Sequence, residues 1–295
     1  LAESEIEVVR ALLGSKPRPV GWEERRRRLD EVGAVWPVAS DVRLEMVDIG
    51  GIPAEFSSVP GADPSGVLLF FHGGGYCSGS IVSHRRMVSE AGRACGLRTL
   101  AVGYRLAPEN PFPAAFEDAT EAFFYLRKLG IAAARIVVGG DSAGGGLTLA
   151  LLQYLRDTGE ELPACAWLAS PWTDLTMSGD TMGSKDAVDP LIHKAYLEEL
   201  AQAYVPAGLN RKDPRLSPLF ADLRGLPPML IQVGSDETLL ADSTRFAEAA
   251  GAAENAVTLE IWPRMIHAWP LWNASLEPGR RALAHVGDFA RRWLV

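Results

Sequence analysis

"RIVVGGDSAGGGLTLALLQYLRD", residues 135–157, decides the fold. Its opening run is short, apolar and β-branched, the pattern of a strand covered on both faces. From Ala143 the pattern turns helical, starting with small residues and ending near Gly159. Ser142 sits at the junction, among glycines that suit neither a strand nor a helix interior. Gly140-Asp141-Ser142-Ala143-Gly144 fits G-x-S-x-G. This spacing predicts a sharp turn that stands the Ser142 hydroxyl clear of the backbone as a candidate nucleophile. Side chains at positions 140 and 144 would clash with neighbouring strands. The helix points free N–H groups at the serine, where negative charge is favoured. A phosphate loop is the rival reading, but no Lys-Ser/Thr follows and the G-x-G-x-x-G spacing is absent here.

Working outward, apolar runs at 67–71, 98–104, 165–170, 228–234 and 257–262 read as further strands. Residues 82–95, 114–129, 238–251 and 277–292 read as helices between them. This alternation predicts an α/β fold with a mostly parallel sheet and helices on both faces. Residues 42–49 and 54–59 alternate in polarity around Gly50-Gly51 and predict an antiparallel hairpin at the sheet edge. Residues 1–40 look helical, and residues 174–212 interrupt the rhythm with a helix at 193–204. Neither segment can bury its apolar residues alone, so together they are expected to cap one end of the sheet. The expected division is 1–40 for the first part of the cap, 41–173 for the first part of the catalytic domain, 174–212 for the cap insertion and 213–295 for the rest.

A second glycine cluster, "FFHGGGYCSG" (70–79), closes the strand at 67–71. Bare backbone there lets N–H groups face an oxygen that gains charge in acyl transfer. Gly74 and Gly75 are the candidate donors, with Ala143 as a third. His72 is expected to hold this loop through a hydrogen bond. A serine hydroxyl needs a base. Of five histidines, His84 and His285 fall on expected helices and His193 opens one. His267 lies in a loop after strand 257–262, at a strand's carboxyl end, where such sites gather. It is the candidate base. The acid that orients it is expected to be Asp236, at the end of strand 228–234. Glu237 is the close competitor, set aside because it reads as part of the next helix's first turn, where an acid is favourable anyway.

The chain has 295 residues, 47% of them apolar, and a net charge of -8. It is long enough for one large α/β domain or two small ones. The charge speaks against nucleic acid and anionic membranes as partners. The run Arg25–Arg28 follows two glutamates and reads as a solvated helix face. Three widely spaced cysteines form neither a metal motif nor a disulfide framework and fit a reduced, cytoplasmic chain. Cys77, beside the oxyanion loop, reads as a small buried apolar residue. No apolar run is long enough to span a membrane. "LAESEIEVVR" has no basic segment followed by an apolar stretch and does not read as a signal peptide. The first residue is Leu, so an earlier trimmed leader stays open.

Together, "HGGGY" (72–76), "YRLAPENPFPAAFED" (104–118), "GDSAGG" (140–145), "SPWTDL" (170–175), "GSDETLLADS" (234–243) and "IHAW" (266–269) resemble the hormone-sensitive-lipase family of α/β-hydrolases, in particular bacterial carboxylesterases with a GDSAG motif. The order Ser142, Asp236, His267 is also the order of that superfamily. The resemblance implies an α/β-hydrolase core under a helical cap. It implies hydrolysis of short- to medium-chain acyl esters through an acyl-enzyme, with no metal or cofactor. A lipase, an amidase or peptidase, and a ligand receptor on the same fold are the alternatives. Tyr76 and Asp141 are candidates for substrate contact, and Arg105 and Glu109 for fixing loops. Pairing of the last strand, "VTLEIW", in a homodimer is also implied. Val35, Trp36, Met182, Val188 and Leu191 are candidates for an acyl pocket.

Overall fold

The computed structural model describes residues 2–15 and 17–294. Eight strands form one sheet in the order β1-β2-β4-β3-β5-β6-β7-β8. They are β1 (Arg43–Ile49), β2 (Ile52–Ser58), β3 (Asp63–Phe71), β4 (Leu97–Val102), β5 (Ile136–Asp141), β6 (Cys165–Ala169), β7 (Met229–Gly234) and β8 (Val257–Trp262). β1 and β2 form the expected antiparallel edge hairpin, and β2 also runs antiparallel to β4. The remaining pairings are parallel. The fold is the α/β arrangement with a mostly parallel sheet that the strand-helix alternation predicts.

The period of two along β3 explains how both faces are covered. Val67, Leu69 and Phe71 pack on one side, in a cluster shared with α4 (Ala114–Lys128) and α5 (Ala143–Asp157). Leu68 and Phe70 pack on the other, against α3 (Ile81–Cys95) and α9 (Glu277–Trp293). All five are at most 1% exposed. Each such burial contributes about 1.5–3 kcal/mol, so the centre of the sheet is its rigid part. The loops that follow β3, β5 and β8 meet in one cavity at the carboxyl edge of the sheet.

Four helices lie outside this alternation: α1 (Ala2–Gly14), α2 (Trp22–Ala34), the short α6 (Thr181–Ser184) and α7 (Lys194–Tyr204). Ile6 and Val9 of α1 pack on Met265, Ile266, Trp269 and Trp272, which follow β8. Leu197, Leu200 and Tyr204 of α7 join the core cluster of the sheet. The arginine run on α2 does more than face solvent. Arg26 bonds the carbonyls of Cys77 and Ala107 and pairs with Glu109, and Arg25 pairs with Glu199 of α7. Arg105 is fixed by Asp118 at 2.8 Å, so it and Glu109 are loop anchors. α8 (Leu240–Ala252) begins two residues later than the periodicity predicts. That small displacement matters at the site.

Candidate active site

Ser142 occupies the turn between β5 and α5 with φ 54° and ψ -121°. A non-glycine residue at positive φ is strained by about 1–3 kcal/mol and persists only where its surroundings hold it. Here Ser142 N–H donates to Ala169 O at 2.9 Å, and Ser142 O accepts from Trp172 N–H at 2.9 Å and Gly146 N–H at 3.2 Å. Gly144 packs so closely that a Cβ would lie 2.0 Å from the carbonyl oxygen of Phe71. Helix α5 can therefore abut β3 only because residue 144 has no side chain.

The loop after β3 carries the second glycine cluster to the same place. Gly74 has φ 114°, and a Cβ there would meet Ser78 O at 2.2 Å. Gly74, Gly75, Ser142 and His267 all line one cavity of about 560 Å³. The amides of Gly74, Gly75 and Ala143 have no acceptor among the described residues. The loop is held from behind. Asp141 Oδ1 accepts from Gly73 N–H at 2.9 Å, and the Asp141 carboxylate pairs with His84 Nε2 at 3.1 Å. Burial would raise the Asp141 pKa, but the adjacent His84, with His267 and His72, outweighs it and the net shift is downward. His72 Nδ1–H donates to Gly73 O at 2.8 Å, and its ring stacks on Tyr104 at 4.2 Å. Burial, then the nearby His84, depress His72 to about 3. A permanently neutral His72 suits the loop-holding role expected of it.

His267 lies in the loop after β8, buried, with Nδ1 3.1 Å from Glu237 Oε2. A carboxylate can only accept, so Nδ1 carries the proton and Nε2 keeps its lone pair. Glu237 is fully buried. Its other oxygen accepts from Ser170 Oγ–H at 2.7 Å and Gly234 N–H at 2.5 Å. Ser170 Oγ in turn accepts from Ala268 N–H at 3.1 Å, tying the two loops together. Burial lifts the Glu237 pKa above the usual carboxylate range. Burial alone would depress His267, but the hydrogen bond and charge of Glu237 outweigh it and the net shift is upward.

The expected acid is therefore corrected: Glu237, and not Asp236, faces His267. Asp236 points outward and pairs with Arg10 of α1 at 2.7 Å, with Lys185 3.7 Å away. Adjacent residues in the turn project to opposite sides. Because α8 starts at Leu240, Glu237 belongs to this turn and not to the helix. Tyr76 is corrected as well. It is buried, stacks on Tyr204 at 3.9 Å and is not among the cavity walls. Asp141 does line the cavity, but its carboxylate is engaged by Gly73 and His84. Sequence reasoning assigned no role to Ser170 or to His84. Ser170 stands directly after β6, at the same carboxyl edge, and that is the signal by which it could have been found.

The cavity walls are mostly apolar: Leu29, Val32 and Val35 on the α2 side, Leu191, Leu197 and Leu200 opposite. Of the acyl-pocket candidates, Val35 and Leu191 line it. Trp36 packs edge-on against Trp272 at 5.5 Å, Met182 is buried in the core and Val188 is exposed. Among the described residues no group of three His, Cys, Asp or Glu side chains could hold a metal ion.

This arrangement suits acyl transfer, with a serine, a base backed by its orienting acid, and the unpaired amides of Gly74 and Gly75 brought to one cavity. A raised His267 pKa sets the pH dependence. A base must be neutral, so activity falls as His267 gains a proton. The acidic limb of kcat/KM is expected above the ordinary imidazole value of about 6.5; a pH profile from acid to neutral checks this.

The family model described as the alpha/beta hydrolase fold matches residues 68–271. An acetyl-hydrolase of Streptomyces hygroscopicus is 41% identical over 293 residues, covering 99% of this chain and 97% of that protein. The crystal structure of an esterase from the bacterial hormone-sensitive lipase family superposes with a TM-score of 0.94 at 40% identity, covering 100% of this chain and 98% of the other. EstE5 soaked with p-nitrophenyl butyrate matches with a TM-score of 0.94 and 40% identity over 98% of both chains. The chain thus belongs to the bacterial hormone-sensitive-lipase family of carboxylesterases, on the α/β-hydrolase fold.

Proposed function

We propose that this carboxylesterase cleaves short- to medium-chain acyl esters through an acyl-enzyme on Ser142. The buried Glu237–His267 pair, whose imidazole lines the same cavity as Ser142 at the N-terminus of α5, carries this reading. Ser142 Oγ attacks the ester carbonyl and its proton passes to His267 Nε2. Glu237 holds the imidazole in the correct tautomer and offsets the imidazolium charge. The tetrahedral oxyanion accepts from the amides of Gly74, Gly75 and Ala143. Collapse expels the alcohol, which takes the proton from His267. Water then loses a proton to the same histidine, attacks the acyl-enzyme and releases the acid.

The acyl-length limit follows from the cavity. At about 560 Å³ it lies within the usual range for small-molecule sites, about 300–1,000 Å³. Residues of both cap segments, 1–40 and 174–212, form its walls. The Streptomyces relative is named for an acetyl group and EstE5 was soaked with a butyrate ester, both inside this range. In a series of p-nitrophenyl esters, kcat/KM should peak at short to medium chains and fall steeply for palmitate. A maximum at the longest chains would make the protein a lipase and overturn this limit.

A homodimer would form through β8, an edge strand whose Ile261 is exposed. A cytoplasmic location accords with three buried free cysteines. No helix among the described residues is long and apolar enough to cross a membrane.

A further inference from the structure

Outside the groups already described, one buried carboxylate stands beside the Glu237–His267 pair. Asp189 belongs to the segment between α6 and α7 and is 1% exposed. Its Oδ1 accepts from Leu191 N–H and Ile192 N–H, each at 2.9 Å. Its Oδ2 accepts from Thr238 N–H at 3.0 Å and Thr238 Oγ–H at 3.3 Å. Thr238 Oγ–H also reaches Ile192 O at 3.4 Å. Pro190, Leu191 and Ile192 are walls of the substrate cavity, and Thr238 directly follows Glu237. A single side chain therefore joins the cavity wall to the turn that presents the acid.

Among the described residues no cation pairs with Asp189. Burying a carboxylate against neutral donors alone is expensive. Four donors converge on it, and only a carboxylate has enough acceptor capacity for all of them. Its charge also reaches the imidazole. His267 is faced by Glu237 from the turn before α8, by Asp189 from the cap and by Asp141 from the end of β5, and all three favour the imidazolium. Asp236, the remaining acid of that turn, is turned away toward Arg10.

We propose that Asp189 is a positioning residue for the reaction: it locks the cavity wall 190–192 to the Glu237 turn and places a second negative charge near His267. Substrate fit and base strength are thereby coupled through one cap residue. This rests on the reading of Ser142 as nucleophile and His267 as base.

Asp189→Asn keeps the shape but removes the charge and sets an Nδ2 donor against the Thr238 amide. Its plateau kcat/KM should fall about ten-fold or more, and its acidic limb should move to lower pH. A loss of packing alone would lower the plateau or the Tm and leave the limb in place. Thr238→Val, a milder change, keeps the carboxylate and loses the hydroxyl contacts to Asp189 and Ile192. It should raise KM for p-nitrophenyl butyrate with the limb unmoved, and it is informative even if the Asp189 variant does not fold. An unmoved limb in Asp189→Asn, or a parental KM in Thr238→Val, overturns the proposal. Fluorophosphonate labelling of the parent separates the two levels. Without a Ser142 adduct the serine reading itself fails; with one, the failure belongs to Asp189.

Discussion

Ser142→Ala is expected to lose on the order of 10⁶ in kcat with p-nitrophenyl butyrate, the scale seen when a triad serine is removed. The fold should hardly notice. The strained turn is fixed by backbone bonds, Ser142 N–H to Ala169 O and Trp172 N–H to Ser142 O, and neither uses the hydroxyl. Alanine at φ 54° is no more strained than serine, because both carry a Cβ. The amides and His267 remain, so the variant should still bind substrate and retain the small rate they supply without a nucleophile. Two measurements check this together. Steady-state hydrolysis should collapse while Tm stays near the parental value, and mass spectrometry should find a fluorophosphonate adduct on the parent and none on the variant. Parental turnover in Ser142→Ala would remove the nucleophile from the mechanism.

The sheet was legible because buried parallel strands leave little freedom. "VLLFF" is apolar at five successive positions, and only a strand covered on both faces can use all of them. G-x-S-x-G was legible for a steric reason: the close approach of Gly144 to Phe71 O forbids any larger residue. What escaped was a matter of direction. Asp236 and Glu237 are neighbours, both acidic, both at the carboxyl end of β7. Which one faces inward depends on where α8 starts, and helix boundaries are blurred by a residue or two. The cavity escaped for a different reason. Its walls are set by tertiary contacts, so Val35 and Leu191 reach the cavity while Met182, equally apolar, fills the core. Tyr76 follows the oxyanion glycines directly, yet its φ of 62° turns the ring back beneath the loop against Tyr204.

The outward acid has its own work. Asp236 accepts from Arg10 of α1, and the same arginine bonds the carbonyls of Val188 and Arg264. One guanidinium thus gathers an N-terminal helix, the middle insertion and the loops on either side of the site. Asp236 is part-exposed, with 22% of its side chain accessible, so its pair is partly screened. The pair ties these segments together and makes no contact with His267.

That division makes Glu237→Gln against Asp236→Asn the sharpest internal comparison. Glu237→Gln should lower kcat by about 10⁴, as amide replacement of a triad acid does elsewhere. The glutamine cannot balance the imidazolium. If its Nε2 amide group donates to His267 Nδ1, it also favours the wrong tautomer, with the proton on His267 Nε2 where the lone pair is needed. The remaining contacts, from Ser170 and Gly234, would still find an acceptor on the amide oxygen, so folding should survive. Loss of the negative charge should also pull the His267 pKa down, because Glu237 supplies the largest upward influence on it. The residual activity should therefore have its acidic limb at lower pH than the parent. Asp236→Asn, by contrast, should keep kcat within a few-fold and show its cost as a slightly lower Tm, reflecting a loss of about 1 kcal/mol or less of stability for a part-exposed ion pair. Steady-state kinetics and thermal melts on both proteins decide the matter. A crippled Asp236→Asn beside a near-parental Glu237→Gln would return the acid's role to Asp236. It would also require a loop arrangement in which the 3.1 Å contact between Glu237 and His267 is not the working one.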